Sequence, residues 1–189
     1  FSNEEDPYTW PKYNPTINYN FKDENPDIKM PVKDLNDCNG VVGTQSMGWW
    51  TFKWGANKNS LVTDAAITPM LERLNQEFAY FRDTMGWPPD KRVQDGYRSA
   101  VYLYGSGLCT DNASNTELGG WQSSVNGYPI ILASYYPVYS FDPSCTYNDR
   151  ESQMSAMVHE GIHSILASLP GARKAAWFHE GGNTWLQQQ

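Results

Sequence analysis

Met154-Ser155-Ala156-Met157-Val158-His159-Glu160-Gly161-Ile162-His163-Ser164-Ile165-Leu166 is the stretch whose reading decides the fold. Met154, Met157, Val158, Ile162, Ile165 and Leu166 recur at helical spacing and predict a helix with one buried apolar face. Inside it stands His-Glu-x-x-His. Positions four apart share one helix face, so the imidazoles of His159 and His163 can reach a single metal ion. Glu160 projects close to the same ion, where a carboxylate can handle a water proton. In a chain with 3 histidines among 189 residues, the pattern has little room to arise by chance.

The flanks of this helix are readable. Asn148 with Glu151, or Asp149 with Ser152, can satisfy its first free amides. Leu169-Pro170-Gly171 stops it, and a second helix is predicted from about residue 172 to the end, with Gly181-Gly182 as its weak point. A zinc site with an open position takes three protein ligands. Two candidates for the third stand side by side, His179 and Glu180. A third histidine in the metzincin pattern would need glycine and histidine where this chain has Leu166 and Leu169. Imidazole nitrogen and carboxylate oxygen suit zinc, a borderline-soft and commonly four-coordinate ion.

The two segments resemble the gluzincin metallopeptidases, which include thermolysin-like and aminopeptidase-N-like enzymes. In that group the first helix carries His-Glu-x-x-His and a second carries a glutamate ligand, often within Trp-x-x-Glu-Gly. Trp177-Phe178-His179-Glu180-Gly181, followed by Trp185, is similar to that second element. The close resemblance spans about residues 149–189. Trp50-Thr51-Phe52-Lys53-Trp54-Gly55, followed by a long helix, also resembles poorly characterised secreted domains bearing the same metal motif. The resemblance implies His159, His163 and Glu180 as ligands to Zn2+, Glu160 as general base, and hydrolysis of a peptide or protein substrate. It implies too that an edge strand just before the motif helix lines the cleft. On that basis Ala133, Ser134, Tyr135 and Tyr136 are expected to face substrate. Gluzincins add an oxyanion-stabilising tyrosine or histidine downstream of the glutamate helix. Here His179 or an upstream tyrosine such as Tyr139 is the candidate, or else a further chain or a C-terminal continuation of the same polypeptide.

Composition narrows the remaining classes. The 14 Lys and Arg form no cluster and the formal net charge is -7, which argues against a nucleic-acid partner. No apolar run is long enough to span a bilayer. Cys109 and Cys145 stand in polar, loop-like contexts that suit a disulfide, leaving Cys38 free or joined to something beyond the chain. Abundant tryptophan and tyrosine, low charge, and the sequon Asn112-Ala113-Ser114 point to a secreted, extracellular protein.

Residues 1–48, rich in Pro, Asn and Asp, read as an extended N-terminal arm with short strands, and residues 49–189 as the metallohydrolase domain. Trp49 to Trp54 alternates aromatic and polar residues and predicts a strand. Thr63-Asp64 opens a helix ending near Met85 and Gly86, with Ile67, Met70, Leu71, Leu74, Phe78 and Phe81 as its core stripe. Ala100–Tyr104 and Tyr128–Tyr136 read as strands, and Gly105–Gly127 as one long polar loop. The expected architecture is α+β, a small mixed or antiparallel sheet packed on an active-site helix pair in the zincin-like manner. The expected function is a secreted zinc-dependent peptidase. Its rival is a non-catalytic structural or glycan-binding module that keeps the metal site.

Overall fold

The computed structural model describes residues 28–112, 119–146 and 150–169, together with Glu180 and Gly182. Gly43–Met47 (β1) and Trp50–Trp54 (β2) form an antiparallel hairpin turning at Gly48, whose φ of 55° sits in the left-handed region that glycine tolerates. β1 is a short strand within the expected arm, and it pairs into the sheet. Asp64–Ala79 forms α1, and its apolar stripe from Ile67 to Phe78 is buried. Thr63 occupies the N-cap, but its hydroxyl donates to Asp142 at 2.8 Å and not to its own helix. A π-helical turn, Tyr80–Thr84, extends α1 and delivers Phe81 to the core before Gly86 (φ 70°) breaks the run. Lys91–Gln94 (α2) is capped by Asp90, whose carboxylate accepts the amides of Arg92 and Val93.

Ser99–Leu103 (β3) lies parallel to β2, Tyr128–Ala133 (β5) parallel to β3, and Gly120–Val125 (β4) antiparallel to β5. The resulting five-stranded mixed sheet has the order β1-β2-β3-β5-β4. Tyr135–Tyr139 (α3) and Arg150–Leu166 (α4) follow. The class is α+β, with α1 and α4 covering one face of a mixed sheet. Trp50, Phe52, Val101, Leu103, Ile131 and Ala133 meet the two helices there in one apolar core, with Met157, Val158, Ile162 and Ile165 from α4.

Three expectations are corrected. The stretch Gly105–Gly127 is not one loop, because its last third is β4, joined to β5 by Asn126-Gly127 with φ of 51° and 82°. Positive φ at both central residues is the two-residue hairpin turn that suits strand twist. The strand before the motif helix is not an edge, since β5 is flanked by β3 and β4. Its chain turns helical at Tyr135, with Ser134 as the N-cap. The disulfide joins Cys38 to Cys109, not Cys109 to Cys145, which is a buried free thiol. The pairing follows from the backbone, because the Cys109 amide bonds the Asn39 carbonyl at 2.9 Å and holds the Cα atoms 5.4 Å apart. The predicted caps at Asn148 and Asp149, and the second helix apart from Glu180 and Gly182, lie outside the described residues; both of those two are helical.

Candidate metal centre

The apolar positions of α4 bury one side of the helix against α1 and the sheet, and that fixes where its polar positions point. His159 and His163, one turn apart, rise together at the edge of the buried face. Their Nε2 atoms lie 3.0 Å apart, and the ring planes are inclined at 70°. Glu180 comes from far along the chain and spans both rings, with one carboxylate oxygen 3.3 Å from His159 Nε2 and the other 3.3 Å from His163 Nε2. The histidine side chains are 14% exposed and that of Glu180 is 69% exposed, so the cluster opens to solvent on the glutamate side. Ligand-capable atoms of the three residues all lie within 4.8 Å of one another.

This donor set fits a zinc ion. Ligand bonds of about 2.0–2.1 Å in tetrahedral geometry put neighbouring donor atoms about 3.3 Å apart, close to the observed spacing. Two imidazoles and one carboxylate also leave one position of four uncommitted.

Glu160 sits beside this cluster on the side of β4. The Gln122 amide donates a hydrogen bond to its carboxylate, and its Cγ lies 4.0 Å from where a side chain on Gly120 would begin. Burial pushes the Glu160 carboxyl up to about 7, reinforced by the nearby Glu180 charge and opposed by the Gln122 hydrogen bond. A cleft of about 850 Å³ runs past these residues, walled by Trp121, Gln122, Ser123 and Ser124 of β4 on one side and by Glu160, His163 and Glu180 on the other. Lys91, Gly127 and Ser168 also line it, and the Lys91 amide donates to the Ser168 hydroxyl at 2.9 Å.

The sequence-predicted residues divide in two. His159, Glu160, His163 and Glu180 come together. Ala133 and Ser134 are buried, and Tyr135, Tyr136 and Tyr139 belong to α3; none of the five lines the cleft. His179 lies outside the described residues. The cleft wall that sequence reasoning missed is β4, and Asn126-Gly127 ahead of an apolar strand was the signal for it. No known family profile matches the chain, and neither does any curated protein or solved structure.

Proposed function

We propose that the protein is a zinc-dependent hydrolase of the zincin-like kind, acting on peptide bonds outside the cell, with His159, His163 and Glu180 as the metal ligands and Glu160 as general base. The observation that carries this reading is the convergence of two imidazole nitrogens and a carboxylate at 3.0–3.3 Å, with a second, half-buried carboxylate beside them in an open cleft. A zinc ion held there supplies Lewis acidity toward a water molecule and toward a carbonyl oxygen. Glu160 takes a proton from the attacking water on a carboxylate oxygen and returns it to the leaving amine nitrogen. The Gln122 amide holds that carboxylate toward the cleft. β4 is a sheet edge beside the cleft, which supports an extended peptide lying against it by strand addition. The Cys38–Cys109 disulfide is compatible with an oxidising, extracellular setting. No described helix is long and apolar enough to cross a membrane.

The rival reading, a non-catalytic structural or glycan-binding module with a retained metal site, is favoured by one feature. Among the described residues lining the cleft there is no tyrosine, and no histidine beyond His163, to stabilise an oxyanion. Glu160→Gln separates the two. The variant keeps zinc under both readings. Under the first, it loses the cleavage that the wild type shows across a peptide library, by about 100-fold or more. A zinc-loaded wild type that cleaves nothing supports the second.

A further inference from the structure

The side of α4 facing away from His159 and His163 makes an unusually close contact with α1. Gly161 stands between the two histidines. At about 100° per residue, His159 and His163 each project roughly 160° away from it around the helix. The face at Gly161 rests on the ring of Phe78, from the last turn of α1. A Cβ at residue 161 would lie 2.3 Å from Phe78 Cζ and 2.8 Å from Cε2, closer than side-chain carbons approach one another. The helix therefore touches the ring with its bare backbone.

A ring tip is ordinarily able to swing aside, but this one is braced. Trp50 stands behind it at a centroid distance of 4.9 Å, and Phe81 meets it edge-on at 5.3 Å. Phe81 is itself stacked on Trp87 at 5.6 Å. The π-helical turn Tyr80–Thr84 brings Phe81 into this stack. About a quarter-turn around α4 from this contact, the Gln122 amide of β4 donates to the Glu160 carboxylate. The motif helix thus rests on an aromatic stop at Gly161 and is tied to the strand edge at Glu160, with the two histidines on the side facing away from the stop.

We infer that Phe78, braced by Trp50 and Phe81 and acting through Gly161, is a positioning residue for the metal cluster. It determines how far His159 and His163 stand out to meet Glu180. The inference rests on the metal-centre reading above and adds the device that sets its spacing. Outer residues that orient ligands typically control metal affinity by about 10- to 100-fold.

The test uses the full chain and zinc alone, with affinity measured by competition against a chromogenic chelator and the fold of the metal-free protein followed by circular dichroism. Gly161→Ala is expected to weaken zinc binding by about 10- to 100-fold while the metal-free spectrum stays native. Adding Phe78→Leu to that variant makes room for the methyl group and is expected to restore most of the loss. Phe78→Leu alone removes the stop and is expected to weaken zinc too; it carries the test if Gly161→Ala does not fold. Unchanged affinity in the single variants overturns the inference, as does a double variant no better than Gly161→Ala. A wild type that fails to bind zinc overturns the metal-centre reading itself, which none of the variant outcomes does.

Discussion

On one face of the sheet, Trp50, Phe52, Val101, Leu103, Ile131 and Ala133 meet α1 and α4 chiefly through apolar side chains. On the other face, Lys53 and Tyr102, with Arg92 of α2, meet an irregular segment, residues 28–42, through charge as well as through a second apolar cluster in which Cys38 and Val41 pack with Ala100, Tyr104, Ile130 and Leu132. Asp37 accepts from both Arg92 and Tyr102, Lys53 donates to the Leu35 carbonyl, Arg98 pairs with Asp34 at 3.0 Å, and Cys38 is tied to Cys109. A helix closes its own backbone hydrogen bonds and needs only an apolar stripe to dock. A segment with almost no ladder cannot close its own backbone bonds, so side-chain ions and a covalent link add to the few apolar contacts of Cys38 and Val41 in holding it down. Burying those ions is costly: desolvation depresses the Lys53 ammonium below its ordinary range, against the pull of Asp37. The face that carries the candidate metal cluster is thus the one held chiefly by non-directional packing, while among the described residues the opposite face holds no part of that cluster.

The sharpest way to break that contrast is to remove a charge from the outer face. Asp37→Ala leaves Arg92, with a fully buried side chain, without its carboxylate, and is expected to cost about 4 kcal/mol in urea unfolding. Replacing Cys38 and Cys109 together by serine opens a cross-link of 71 residues' separation and is expected to cost about 4 kcal/mol or somewhat less. Both variants should bind zinc as the wild type does wherever they are folded. On the helical face, Leu74→Ala removes a fully buried side chain of α1 and is expected to cost about 3 kcal/mol. This variant, unlike the other two, should also weaken zinc binding. If the outer-face variants weakened zinc equally, the division of labour between the faces would be wrong.

What was legible in the sequence follows the same division. Ile67 to Phe78 and Met154 to Leu166 carry the period of a helix buried on one side, and each packs as its period predicts. The candidate metal cluster was legible because two of its members share one helical turn. Glu180 depended on resemblance, and its meeting with the rings is a tertiary fact. β4 escaped because Gly-Trp-Gln-Ser-Ser-Val at a half-exposed sheet edge has little β-branched or alternating character. Strand order was equally hidden: an apolar run such as Tyr128–Ala133 is compatible with edge or centre, and only pairing with both β3 and β4 settles it. The disulfide could not be read from spacing, since Cys38 reaches Cys109 through the docking of the irregular segment, which no local pattern encodes.

The smallest expected effect separates two buried aspartates that the two faces treat differently. Asp37 meets a guanidinium. Asp90, on the helical side, is satisfied by neutral donors: the amides of Arg92 and Val93 and the Ser99 hydroxyl at 2.6 Å. Burial outweighs those donors and the more distant Arg92 charge, and raises the Asp90 carboxyl above its ordinary value of 3.8. As pH rises past that value, the unfolded chain gives up this proton first while the native chain still holds it. Over that range the native state binds more protons, so the stability contributed by this group is full below the ordinary value and lost as pH climbs through the native one. Asp90→Asn keeps an acceptor for the α2 amides and cannot titrate. The unfolding free energy of the wild type minus that of Asp90→Asn, measured in urea at successive pH values from about 3.5 to 8, is therefore expected to fall as pH increases. A difference that stayed flat or rose would mean that Asp90 is stabilised as an anion, as a carboxylate facing a cation is, and the contrast between the two faces would lose its electrostatic half.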